Sequence, residues 1–562
     1  MIGFHVDGLS IELRTKKFQA RFHGADLYEL IDSDEHSLID HVPGNGPAPI
    51  ELTFMGDETH SIGNGQDCQI TVKQLSPFLV HIYLDDPEGD VIVRLSLDDE
   101  SRLHVEPSAS CLRMGLAAVR WNLAGISPDC KLVAPLYQGC RQSLDHPLIA
   151  NESFSWPSVW EAPLAVLEGN GSGFYVYNDD CGYRPKNLLV GHEKDPHCLR
   201  FETQALGPWM PNQSVGGQSW VLDCFKGSWE DGASAYKEWL WRTSDAEKLQ
   251  SKRPDWVNDI RLALQWCEND TAILDAVAKT IDPKKVLLHI PHWRRDAYDT
   301  NYPDYTPGEE GIAFISYAQK KGFHVMPHFN YFAADPAHPL FPQFQPYILS
   351  SITSGRLMGW RYDQKNNRFP PLPQTAGALC RFPDEKTMAY IHPGLSLWRR
   401  TLTANISTAV NQLDLSALFV DQTLCVFNVN NAIVENMTMA EGLLSLLNDL
   451  AELAGPPAIG GEGRNELNMR YQSFAQTHLF NSHHGNCKYF EELDPVPIGD
   501  YLFGELCRSM AYGNNSGKDD ASKLRLETHE KLNALPSLAI SEINQILKPN
   551  PAFKQVLDRA LA

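Results

Sequence analysis

Leu418-Phe419-Val420-Asp421-Gln422 and, about forty residues later, Ala458-Ile459-Gly460-Gly461-Glu462 are short apolar runs that each end in a carboxylate. Each precedes a segment able to form a helix. In a barrel of alternating strands and helices the C-terminal strand ends open onto the active-site face, so carboxylates at two successive strand ends match the pair that glycosidic-bond hydrolysis uses. One attacks or activates water, and the other protonates the leaving oxygen. They stand about 5 Å apart in retaining enzymes and about 6.5–9.5 Å apart in inverting ones. Neighbouring strands lie about 4.8 Å apart, so side chains at adjacent strand ends can face each other over a bound sugar. The competing reading makes both acids caps for the helices that follow.

Asp421 is the candidate nucleophile: it ends the cleanest apolar strand, and as an unburied aspartate it would stay ionised at neutral pH. For the proton donor, Glu462 is the first choice and Glu466 the second. Glu462 lies directly at its strand end, where Gly460, Gly461 and Gly463 leave room for a ligand. Glu466 falls in the first turn of a helix beginning near Leu467, where the helix N-terminus stabilises the ionised form, which is wrong for a donor. The carboxyl groups of Asp421 and the donor are expected about 5–8 Å apart.

Around them, Trp266, His292, Trp293, His328, Asn330, Gln422, Arg464 and His478 are candidate substrate contacts, with Arg361 from a long insertion. Aromatic faces pack on C–H patches of a sugar while polar tips bind hydroxyls. Of His289 and His292, three residues apart, only His292 sits at the C-terminal end of its strand. His483 and His484, after His478, divide evenly between cleft and surface loop. A metal centre built from His292, His328 and Asp421 lacks the compact spacing of a ligand motif, so neither a metal nor another cofactor is expected.

The elements that must position these residues change character along the chain. Residues 1–250 hold short alternating runs such as LSIELRT, DVIVRLSL and GFYVYNDD between Gly, Asn, Asp and Pro. That pattern reads as a β-sandwich domain. From 251 to 521, strands alternate with helices of ten or more residues, which means parallel β/α units. Six or seven strands can be counted, and no glycine fingerprint for nucleotides follows any of them, which favours a (β/α)8 TIM barrel. Residues 333–391, rich in Pro, Gly, Phe and Tyr, form an insertion expected to overhang the strand C-terminal face. Residues 522–562 read as a helical C-terminal segment.

Length and charge agree with this picture. At 562 residues the chain exceeds one hydrophobic core. Its net charge of -22, with no basic block, argues against nucleic acid and anionic membrane surfaces as partners and suits a neutral carbohydrate. Twelve scattered cysteines without a CxxC pair read as buried thiols of a reducing compartment. The first residues have neither a basic leader nor an apolar run, so the chain as given reads as cytoplasmic, with a periplasmic or secreted location the alternative had a leader been trimmed.

A β-rich domain followed by a barrel with LFVDQ and AIGGEGRNE at neighbouring strand ends resembles glycoside-hydrolase-like proteins of the DUF6259 class. More distantly it is similar to the α-galactosidase and endo-α-N-acetylgalactosaminidase superfamily. The resemblance implies a retaining glycoside hydrolase acting on an α-linked sugar, with Asp421 as nucleophile and Glu462 as acid/base. An inverting glycosidase, or a non-catalytic carbohydrate-binding protein on the same barrel, are the alternatives.

Overall fold

Burial alternates residue by residue along the strands of the first part of the chain, as in Gly89–Leu97 and Leu103–Ser110. Successive side chains of a strand point to opposite faces, so such strands pair into sheets with one buried face. The computed structural model describes residues 2–63, 67–192, 195–376, 379, 385–453, 455, 457–479, 492–512 and 520–562. Within them the antiparallel strands form five-, six- and eleven-stranded sheets. The chain divides into two units, 1–243 with 486–498, and 244–485 with 499–562, where sequence placed a boundary at 250. Asp494–Pro495, which falls in sequence between two strands of the second unit, adds to the edge of the eleven-stranded sheet, against Cys140–Ser143.

The second unit is an eight-stranded parallel barrel: β1 Leu262–Gln265, β2 Val286–Ile290, β3 His324–Asn330, β4 Ala417–Asp421, β5 Ala458–Glu462, β6 Gln472–Thr477, β7 Arg508–Ala511 and β8 Ser537–Ala539. Strand order is β7-β6-β5-β4-β3-β2-β1-β8, with a parallel bridge between Met510 and Leu535 joining the ends. Its floor is apolar: Ala263, Leu287, Met326, Phe419, Ala458, Phe474 and Met510 from seven strands meet in one buried cluster. Polar side chains begin one layer higher, with His289, His328 and the Gln265–Gln476 pair. A barrel interior is a packed core, so polar groups in its upper layers are costly unless paired or used.

Three expectations change. Residues 522–562 are not purely helical, since β8 lies between helices Asp520–Lys531 and Pro551–Leu561 and supplies the eighth strand. Three residues are too few to show a period in sequence, and their neighbours on both sides are helical. The segment after β5 holds a single 3-10 turn, Asn468–Arg470, and no α-helix. There the Asn465 carboxamide accepts from the Leu467 and Asn468 amides, while Asn468 accepts from the Asn465 amide, closing one turn on itself. The helix after β4, which the apolar spacing of the sequence places at Ile433–Leu453, starts at Met439, because Thr438 and Glu441 form a capping box and Glu435 and Asn436 hold left-handed backbone before it.

The insertion folds as a small antiparallel sheet in which Glu385–Tyr390 pairs with both Ala333–Ala334 and Gly359–Asp363. No helix among the described residues is long and apolar enough to cross a membrane.

Candidate active site

β4 and β5 are neighbours in register, with Val420 opposite Gly461, so the next residues along, Asp421 and Glu462, emerge side by side at the barrel mouth. Their carboxyl groups are close enough for each to raise the cost of ionising the other. Burial pushes the Asp421 carboxyl well above the ordinary aspartate range, and the Glu462 and Asp299 carboxylates push it the same way. The expectation of an unburied, ionised Asp421 is therefore corrected: its side chain is 17% exposed and faces two other acids. Two neighbouring buried carboxyls cannot both ionise cheaply, which favours a state with one proton between them.

Glu462 is 6% exposed and well provided with partners. Its Oε2 accepts the Gln422 backbone amide at 3.1 Å, and its Oε1 lies 2.9 Å from His478 Nε2. The Thr423 hydroxyl donates to its carbonyl at 2.9 Å and is itself fixed by Gln472 Nε2 at 2.6 Å. The glycines before it serve this packing. A Cβ on Gly461 would strike the Gln472 carboxamide and the Thr423 hydroxyl, and one on Gly460 would strike Met326 Sδ. The room that sequence assigned to a ligand is filled at both positions by core side chains.

Asn330, at the end of β3, is oriented by its side-chain oxygen Oδ1, which accepts from the Phe332 and Ala333 amides. Its NH2 group must then point the other way, where it donates to Asp421 Oδ2 at 3.3 Å and to Gln422 Oε1 at 2.9 Å. Gln422 in turn donates to the Tyr390 hydroxyl at 2.9 Å. Trp266, Asp299 and Gln422 all hold positive φ, at 50°, 57° and 63°. Non-glycine residues seldom adopt that conformation, and those that do cluster at functional sites.

Of the other predicted contacts, Trp266 is half-buried at the mouth, its ring 5.6 Å from Tyr298 and 6.0 Å from His328. His478 packs on Tyr512 at 4.0 Å. His328 lies inside the barrel, 1% exposed, its Nε2 3.7 Å from Asp421 Oδ2. His292 is exposed, and it is His289 that faces the interior. Trp293 is 1% exposed, stacks near Tyr305 and Phe329, and donates to the His328 carbonyl at 3.0 Å, so it packs in the core and not in the cleft. Arg464 is fully buried and donates to the Cys507 carbonyl at 2.9 Å beside Asp500. Arg361 forms a two-bond pair with Glu385 of the facing strand, at 2.5 and 2.9 Å. Glu466 is buried, one turn beyond the strand end. His483 and His484 lie outside the described residues. No group of three or more His, Cys, Asp or Glu among the described residues is placed to hold a metal ion.

Sequence reasoning missed Tyr298, Asp299, Lys386, Tyr390 and Tyr512. Asp299 follows β2 in the run AYDTNYPDY, where a dense Tyr/Asp loop after a strand was the available signal. Lys386 and Tyr390 come from the insertion, and Lys386 donates to the Tyr298 carbonyl at 2.8 Å. Burial raises Asp299 to about 6, against the pull of Lys386, the Tyr302 hydroxyl and Arg294.

That shift has a consequence for stability. From the unfolded value of 3.8 up to about 6, the folded protein keeps a proton that the unfolded chain releases, so stability falls as pH rises through this window. The loss is bounded at about 3 kcal/mol. In unfolding measurements across this window, Asp299→Asn is expected to lose less stability with rising pH than the wild type. Parallel curves for the two proteins would assign Asp299 an ordinary pKa.

Residues 217–432 match the family model described as "Domain of unknown function (DUF6259)". A 123-residue stretch is 30% identical to a Bacteroides thetaiotaomicron protein named "Putative glycoside hydrolase", covering 21% of this chain and 18% of that protein. The match thus spans less than a fifth of the curated relative. Among solved structures, the ligand-free α-N-acetylgalactosaminidase NagBb from Bifidobacterium bifidum superposes with a TM-score of 0.65 at 11% identity, over 98% of this chain and 92% of that one. Its GalNAc complex gives 0.64 at 11% identity, over 100% and 92%. The GH36 α-galactosidase AgaB from Geobacillus stearothermophilus gives 0.51 at 9% identity, over 100% and 86%. The chain resembles DUF6259 over residues 217–432 and, over nearly its whole length, has the fold of these α-N-acetylgalactosaminidase and α-galactosidase structures.

Proposed function

We propose that this protein is a retaining glycoside hydrolase acting on an α-linked galactose or N-acetylgalactosamine unit, with Asp421 as nucleophile and Glu462 as acid/base. The observation that carries the reading is the placing of these two carboxyls side by side at the ends of adjacent strands in the mouth of the barrel. The names of the NagBb and AgaB structures supply the sugar class.

A pair that holds one proton has the stoichiometry of the first step: one carboxylate to attack the anomeric carbon and one carboxylic acid to protonate the leaving oxygen. A sugar entering between the groups parts them towards the retaining distance of about 5 Å. Positive charge developing at the anomeric carbon favours the Asp421 anion, so the proton settles on Glu462. His478 permits this, because its ring nitrogen can accept from a protonated Glu462 as well as donate to an ionised one. Water then attacks the glycosyl-aspartate ester, with Glu462 as base. Trp266, Tyr298 and Tyr390 offer faces and hydroxyls for the sugar, and Asp299 and Asn330 offer polar contacts.

Proton NMR of an aryl α-galactoside or aryl α-N-acetylgalactosaminide during hydrolysis tests the mechanism. The first sugar released should be the α-anomer. A β-anomer would establish inversion, and no turnover of either would favour the binding-protein reading.

A further inference from the structure

Two histidines inside the barrel, one layer below Asp421, have no part in the chemistry above. His289 on β2 and His328 on β3 are each 1% exposed, with His289 Nε2 and His328 Nδ1 3.3 Å apart. On the far side of the pair, His328 Nε2 stands 3.7 Å from Asp421 Oδ2. Neither His328 Nε2 nor His289 Nδ1 has a hydrogen-bond partner among the described residues. Closing the gap to Asp421 takes a movement of about 0.7 Å.

Both rings are buried too deeply to hold a charge. Burial lowers His289 to about 3, and burial with His289 alongside lowers His328 well below the ordinary histidine range. Each ring therefore carries one proton, and the shared contact leaves two arrangements. In the first, His289 donates from Nε2, and His328 is bare at Nδ1 and carries its proton at Nε2, aimed at Asp421. The only group left over is a bare nitrogen on His289. In the second, His328 donates from Nδ1. That strands an N–H of His289 without an acceptor and turns a lone pair of His328 towards Asp421. A buried unpaired donor is costly, and a lone pair facing a carboxylate is repulsive. The first arrangement therefore accompanies an ionised Asp421.

We infer that His289 fixes the tautomer of His328, so that His328 Nε2–H and Asn330 Nδ2–H together hold Asp421 Oδ2 and leave Oδ1 as the attacking oxygen. The inference rests on the proposed role of Asp421 as nucleophile. His289 and His328 are positioning residues that act through Asp421. The side chain that feeds the donor is on β2, two strands from the acid it serves.

Two measurements test it. The first is 15N NMR of histidine-labelled wild-type protein above the titration of the carboxyl pair, which needs no substrate. His328 should be protonated at Nε2 and bare at Nδ1, and a proton on Nδ1 would overturn the inference. The second compares His289→Phe, which removes the donor, with His289→Gln, whose carboxamide can still donate, on an aryl α-galactoside or aryl α-N-acetylgalactosaminide. His289→Phe should lower kcat about 10–100-fold, with KM held and the acid limb of kcat/KM moved to higher pH, and His289→Gln should recover both. Arg294, His292 and Tyr298 also face His328, and Glu462, Asp299, Tyr298, Tyr390 and Tyr512 face Asp421. All of them remain in both variants, so the shift between variants reports the histidine pair. An unmoved acid limb in His289→Phe would reduce the pair to packing. If wild-type protein turns over no α-glycoside, the proposed function fails while the tautomer measurement still decides the inference.

Discussion

Asp421→Asn should lower turnover of an aryl α-galactoside or α-N-acetylgalactosaminide by about 10⁴-fold or more, the scale of loss when a member of a catalytic set is removed. That corresponds to about 5 kcal/mol of transition-state stabilisation. Asparagine keeps the shape and can still contact Asn330 and Gln422, so the barrel should fold and bind the sugar. What disappears is the anion that attacks the anomeric carbon. Removing one of two neighbouring acids also frees Glu462 from its partner, which should show as a single carboxyl titration where the wild type should show two coupled ones. Retention of wild-type turnover on a confirmed substrate would remove Asp421 from the chemistry.

Glu462→Gln should split substrates by leaving group. Sugars with alkoxide leaving groups need a proton, and their turnover should fall about 10²–10⁴-fold, the range that general acid–base catalysis supplies. An activated aryl glycoside leaves without help, so its first step should survive and its second, the base-assisted attack of water, should slow. Azide needs no base and should then restore turnover, giving a glycosyl azide of retained α-configuration. Glutamine can still accept the Gln422 amide, and its NH2 can face His478, so gross unfolding is not expected. Equal losses on all leaving groups with no azide rescue would move the assignment to Glu466 or to a structural role.

The two strand ends were legible because each is a short apolar run closed by an acid, and the strands Ala417–Asp421 and Ala458–Glu462 end on those acids. Their adjacency followed from the rule that consecutive β/α units lay down neighbouring parallel strands. The eighth strand was not legible. Ser537–Ala539 is too short to carry a period, and it forms only because β1 and β7 leave an edge on each side for it to bridge.

At the site, residue types in the right loops pointed to Trp266, Asn330, Gln422 and His478; the structure brings the last three to the two acids and sets Trp266 beside Tyr298 and His328. Trp293 and Arg464 fit the same chemistry by type, yet one packs among Tyr305 and Phe329 and the other ties the loop after β5 to the residue before β7. Which way a side chain leaves a strand end depends on the local backbone, and the positive φ of Trp266, Asp299 and Gln422 cannot be read from composition. The sequence by itself determined the chemistry on offer: a β-rich region, a parallel barrel and two carboxylates at successive strand ends. Only the tertiary structure decided their state. Burial and charge set a carboxyl's proton affinity, and the charges that raise Asp421 come from residues 41 positions later and 122 earlier, brought within reach by barrel closure.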